Sequence, residues 1–236
     1  MFLNKNNSLN WKKMAIAGLV VAALCALGIL WLDAPLYMWL RNFYWAGWGV
    51  FDVVFESEHW IAASLIVAII IFVMRDAKRE TRENAFRISH IASRISNNPA
   101  AMVFCSVAGA SVITGVLKVL IGRMRPVFYE ALGQTGFYPW NFEWAFNSMP
   151  SGHTTASFAG LVMIGLIVTR NAKRETRDNT HFASRISHFV LWSLAIIIGL
   201  SRIAHGVHWP SDVLLGAFIG MVAADVVKAY VIGHKA

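Results

Sequence analysis

Apolar runs separated by short polar clusters set the rhythm of this chain, at about 14–32, 59–74, 100–121, 154–169, 188–206 and 212–232. Runs near ~20 residues match the ~30 Å hydrocarbon thickness of a bilayer. The second and fourth are short, and singly they read as buried helices of a soluble protein. Six of them in 236 residues are hard to house in water. The pattern therefore predicts an all-α integral membrane protein, a six-transmembrane-helix bundle forming one domain over 1–236.

Composition agrees, with 57% hydrophobic residues, mean hydropathy +0.53, ten Trp and fifteen Phe. The first run is too long for an ordinary signal core and no small-x-small site closes it, so it is expected to stay as an uncleaved helix. Cys25 and Cys105 both fall within runs, which implies no disulfide framework and no metal site.

The net charge of +8 suggests nucleic acid until the basic residues are placed on the topology. Sixteen of the 21 lie before the first run, between the second and third, between the fourth and fifth, or after the last. The positive-inside rule makes that side cytoplasmic, with both termini inside and no nucleic-acid partner. Two of these connections carry a repeat, RDAKRETREN at 75–84 and RNAKRETRDN at 170–179, with ASRIS recurring after each. The flanking helices do not resemble each other, so segments 75–96 and 170–187 read as related inserts rather than halves of a duplicated bundle. On the opposite side the segment 35–55 and the loop 127–149 are crowded with aromatics, as expected of surface at the headgroup level.

Five basic residues remain: Arg41, Lys118, Arg123, Arg125 and Arg202. Four of them sit in or beside the outer ends of the third and fifth runs, where an ionised group is costly and points to function. Three clusters stand apart from the apolar background, and two of them carry these cations. In the first, Lys118 lies in the last turns of the third run and Arg125 follows seven residues later, where Gly122 and Pro126 break the helix. The bland alternative is a snorkelling Lys beside a juxtamembrane Arg. In the second, Pro150-Ser151-Gly152-His153 opens the fourth run, where free backbone N–H groups attract anions and His153 can exchange a proton near neutral pH. Ser151 as a plain N-cap is the alternative. In the third, Ser201-Arg202 precedes His208, Pro210 and Asp212. A carboxylate at Asp212 fixes the tautomer of His208 and leaves its other nitrogen nucleophilic, against a capping Asp beside a loop His.

Lys-x6-Arg-Pro, Pro-Ser-Gly-His and Ser-Arg-x5-His-x3-Asp, in this order over residues 118–212, resemble the signature of the type 2 phosphatidic acid phosphatase (PAP2) superfamily, which also includes vanadium haloperoxidases. The N-terminal third, with its helix and interfacial segment at 14–55, has no motif to match, and the motif-bearing core is about 100–232. The resemblance implies a metal-independent, cofactor-free phosphatase. His208 would attack phosphorus, Asp212 would hold its other nitrogen, and His153 would protonate the leaving oxygen and then activate water. Lys118, Arg125, Ser151, Gly152 and Arg202 would surround the phosphoryl oxygens. The implied substrate is a lipid phosphate at the outer face of a bacterial inner membrane: phosphatidylglycerol phosphate, phosphatidate, a polyprenyl diphosphate or a lipid A phosphate. A vanadate-dependent haloperoxidase and a non-catalytic lipid-binding or transport protein are the alternatives. Arg123 and His205 fall outside the pattern, the former read as a headgroup contact and the latter as a packed helix residue. Asp225 and Lys228 read as a local pair.

Overall fold

In the computed structural model, which describes residues 1–4, 8–76, 98–172 and 178–233, the secondary structure is helical apart from two isolated bridges. The helices are α1 (Trp11–Leu27), α2 (Asp33–Arg41), α3 (Trp48–Val54), α4 (Ser57–Asp76), α5 (Pro99–Ile121), α6 (Pro126–Leu132), α7 (Gly152–Ala172), α8 (Asp178–Ala204) and α9 (Pro210–Gly233). A π-helical turn, Gly28–Leu32, joins α1 to α2. Five stretches are long and apolar enough to cross a membrane: Trp11–Arg41, Pro99–Ile121, Gly152–Asn171, Arg185–Ala204 and Pro210–Tyr230. The second predicted span is present as α4, whose apolar part, Glu58–Phe72, is shorter. Of the repeated basic segments, 77–96 and 173–177 lie outside the described residues, while 178–187 open α8.

Local chemistry sets the helix ends. Asn98 caps α5 by accepting the N–H groups of Ala100 and Ala101, with Pro99 in the first turn where its missing donor costs nothing. Gly122 ends that helix in the left-handed region at φ 59°. There a Cβ would lie 1.8 Å from the carbonyl oxygen of Tyr138, so only glycine fits.

Helix α7 runs through the middle of the bundle, packed by α4, α5, α8 and α9. Its Ala156, Ala159 and Met163 are fully buried among Met102, Val107, Ala195, Ile198 and Ala224. Small residues set the closest approach. Gly216 and Gly220 of α9, spaced as Gly-x3-Gly, lie against the backbone of Ser151, Thr155 and Ala159, and Gly160 makes room for the ring of Trp60.

One expectation changes here. The first span does not stop at residue 32 but continues through the π turn to Arg41, so the start of the supposed interfacial segment is bundle, with Tyr37 fully buried. Hydropathy missed it because Asp33 interrupts the run. At the far end of the bundle Asp225 is fully buried and accepts the N–H of Phe2 at 2.6 Å and the terminal amine of Met1 at 3.1 Å.

Candidate active site

Six helix ends converge at one end of the bundle: the C-terminal ends of α5 and α8, and the N-terminal ends of α2, α4, α7 and α9. The loop after α6 folds back over the end of α5. Tyr138 N–H donates to Gly122, Trp140 N–H to Val119, Met124 N–H to Gly136 and Arg125 N–H to Ala145. These bonds carry Asn147 over the two cations of the first cluster. Its carbonyl oxygen accepts from Lys118 Nζ at 2.5 Å and from Arg125 Nη2 at 3.2 Å. Arg125 also donates to the carbonyls of Trp144 (2.9 Å) and Val207 (3.1 Å), with its guanidinium 4.2 Å from the centre of the Trp144 ring. Burial pushes the Arg125 pKa down to about 10, opposed by Asp212, so it remains a cation at neutral pH.

The second cluster adjoins the first. A Cβ on Gly152 would meet Lys118 Cε at 3.7 Å, and the Ser151 N–H donates to the Asp212 carbonyl at 3.0 Å. Thr154 Oγ1 donates to Ser151 Oγ at 2.9 Å. The charged and titratable neighbours of His153 are Glu56, Lys118, Arg125 and His205.

The third cluster closes the site. Arg202 is buried in the last turn of α8, and its carbonyl accepts the Val207 N–H as the chain turns through Gly206. His208 is buried, with Nδ1 3.6 Å from Asp212 Oδ2. That separation is longer than a hydrogen bond. Burial, with Arg125 and Lys118 adding to it and Asp212 opposing, holds the His208 pKa well below its ordinary value. The ring is therefore neutral at physiological pH.

Asp212 is held on every side. Its Oδ2 accepts from the Trp209 N–H at 2.8 Å and from Ser148 Oγ at 2.5 Å, and its Oδ1 accepts from Arg123 Nη1 at 2.7 Å. The Trp209 bond is the return half of a capping box, from the third residue of α9 to the residue before the helix. Of the two roles weighed from the sequence, the structure shows the cap, and the same carboxylate faces His208 Nδ1 at 3.6 Å.

All eight motif residues thus lie at this end of the bundle. Three neighbours were missed, Asp33, Ser148 and Ser211, and a fourth, Arg123, was read otherwise; all four are buried. Arg123 is not a headgroup contact. Its terminal nitrogens sit on Asp33 (2.6 Å) and Asp212 (2.7 Å), and its guanidinium lies 5.2 Å from the centre of the Trp209 ring. Burial works against its proton, yet the two carboxylates raise its pKa. Asp33 carried a usable signal, an ionisable residue closing a long apolar run. His205, expected within a helix, lies in the turn after α8 and sets its ring edge-on to Tyr44, centroids 6.0 Å apart. Among the described residues, no three His, Cys, Asp or Glu side chains gather where they could share a metal ion.

Comparison with known sequences decides the family, because the PAP2 superfamily profile matches residues 99–234, more than half of the chain. The chain belongs to the PAP2 superfamily. Among curated relatives, a lipid A 1-phosphatase of Rhizobium etli is 31% identical over 120 residues, 51% of this chain and 45% of that protein. Phospholipid phosphatase 1 of Rattus norvegicus is 30% identical over 175 residues, 64% of this chain and 61% of that one. Phosphatidylglycerophosphatase B of Bacillus subtilis is 25% identical over 115 residues, 49% of each chain. The chain spans about half the length of the first curated relatives it matches. A crystal structure of Aquifex aeolicus LpxE gives a TM-score of 0.47 at 18% identity, covering 85% of this chain and 96% of that one. Within this PAP2 domain the matched span holds all three clusters and leaves Asp33 outside it.

Proposed function

We propose that the protein is a membrane lipid phosphatase that cleaves a phosphate monoester or diphosphate through a phosphohistidine, without a metal. The observation that carries this reading is the placement of Lys118 and Arg125 on one carbonyl oxygen, beside the buried His208 backed by Asp212. Phosphoryl transfer asks mainly for positioning and charge stabilisation. Lys118, Arg125 and Arg202, with Ser151 and the Gly152 amide, supply these to the equatorial oxygens.

In the first step Nε2 of His208 bonds to phosphorus as the bond to the lipid oxygen breaks, and His153 gives that oxygen a proton. In the second step His153 takes a proton from water as the water oxygen displaces His208 and inorganic phosphate leaves. Asp212 stays ionised and faces the Nδ1 side of the ring throughout. The exposed Trp140, Phe142 and Trp144 at the site end favour an amphiphilic substrate over a soluble sugar phosphate. The relatives' names, lipid A 1-phosphatase, phosphatidylglycerophosphatase and phospholipid phosphatase, support a lipid. The four lipid phosphates named above are the candidates. The placement of basic residues supports an inner membrane with the site facing outward.

The test is phosphate release by purified protein from a panel of lipid phosphates, with and without a chelator. Release that survives the chelator and falls about 1,000-fold or more in His208→Ala is expected. Full turnover by His208→Ala, or loss of activity on chelation, refutes the reading.

A further inference from the structure

Asp33 lies outside the span matched to the superfamily, yet it reaches the centre of the site. The π turn at Gly28–Leu32 delivers it, with the Asp33 N–H donating back to Gly28. Such turns recur at functional sites. A Cβ on Gly28 would lie 3.1 Å from both Asp33 Oδ1 and Ser211 Cβ, so this helix approaches α9 as closely as a glycine allows. Asp33 Oδ1 accepts the Ser211 N–H at 3.0 Å. Its Oδ2 accepts from Ser211 Oγ at 2.5 Å and from Arg123 Nη2 at 2.6 Å. Arg123 Nη1 donates in turn to Ser211 Oγ and to Asp212 Oδ1, both at 2.7 Å.

Two carboxylates therefore share one guanidinium, and all three groups are buried. Arg123 alone would cancel the charge of Asp212. With Asp33 present the triad keeps a net negative charge, and the His208 ring is what Asp212 presents it to. A buried carboxylate is costly unless paired, and this one is paired with the arginine that holds the carboxylate behind the nucleophile.

We propose that Asp33 is a positioning residue for the reaction, acting through Arg123 to set the orientation and the effective charge of Asp212 behind His208. The inference rests on the role given to His208 above. His208 is faced by Asp212 from α9, Lys118 from α5 and Arg125 from the segment after it, while Asp33 is faced by Arg123 and lies near the Cys25 thiol.

The test is Asp33→Asn, which keeps the shape and removes the charge. Arg123 then neutralises Asp212, and His208 becomes harder to protonate and less nucleophilic. Expected are a kcat about 10- to 100-fold lower, a KM within about threefold of wild type, and an acid limb of kcat/KM moved to lower pH by about half a unit or more. A purely architectural role would change yield and melting temperature but leave the position of that limb alone. If Asp33→Asn does not accumulate, Ser211→Ala removes the hydroxyl between Asp33 and Arg123 and is expected to move the limb the same way by less. Labelled substrate run with wild type in parallel separates the two claims. A wild type that traps no phosphohistidine removes the role of His208 and this inference with it. A wild type that traps, beside a variant whose limb is unmoved, overturns the inference alone.

Discussion

Gly216 lies one turn into α9 from Asp212, on the face turned to α7, and a methyl group there tests how far the site depends on close packing of the two helices. An alanine Cβ would stand 2.7 Å from the Ser151 carbonyl oxygen, 3.0 Å from Thr155 Oγ1 and 3.4 Å from Ser151 N. Opening the first contact to an ordinary 3.4 Å separates α9 from Ser151 by about 0.7 Å. The neighbouring Ser151 N–H to Asp212 carbonyl bond, 3.0 Å long, then stretches out of hydrogen-bonding range. Overpacking of this kind costs about 1–3 kcal/mol of stability. Displacement of the turn bearing His153 relative to the helix bearing Asp212 by nearly 1 Å costs on the order of 10- to 100-fold in rate. Purified Gly216→Ala should therefore melt lower and show kcat/KM reduced by that factor. Gly109→Ala is the control, since a Cβ there meets nothing within 4 Å. Wild-type kcat/KM and melting temperature in Gly216→Ala would refute the claim that backbone contact between α7 and α9 sets the site's geometry.

Asp212→Asn should lower kcat by about 10²- to 10⁴-fold, because it removes the charge that orients and supports the imidazole. Its melting temperature should also fall, because the amide nitrogen faces a donor whichever oxygen it replaces, Arg123 Nη1 on one side or the Trp209 N–H and Ser148 Oγ on the other; a thermal melt and phosphate-release kinetics check both halves. The pH profile follows from burial of His208. Its depressed pKa means the ring gains its proton only well below 6.5, so kcat/KM should not fall as pH drops from 7 toward 6.5 on account of this group. An acid limb at or above pH 6.5 that disappears when His208 is replaced contradicts that assignment.

What could be read from the chain alone follows how local each signal is. Span three was legible almost to the residue, predicted at 100–121 and found at Pro99–Ile121, because Asn98, Pro99 and Gly122 mark its ends chemically. Span five, predicted at 188–206, was found at Arg185–Ala204 in a helix that begins at Asp178, because its first turns are polar and hydropathy is blind to them. The motif residues were legible because each lies a few positions from another of its cluster or at a helix end. The tie between Asp33 and Arg123 joins residues 90 positions apart. No periodicity encodes which intramembrane carboxylate meets which guanidinium, and Arg123 beside the motif residue Arg125 looked like a second ligand contact.

The helix ends explain why the charges sit where they do. Helices α7 and α9 begin at the site, and their positive dipole ends favour an anion. Helices α5 and α8 end there, presenting carbonyls and negative dipole ends that would repel one. Those two ends are where the chain places Lys118 and Arg202, each in the last turn of its helix. Each cation reverses the sign of an end that would otherwise work against phosphate. Asp212 is the exception, an anion in the first turn of α9. There it suits the dipole, caps the Trp209 N–H and is braced by Arg123, so the negative charge facing His208 is stabilised by the same architecture that makes the rest of the pocket positive.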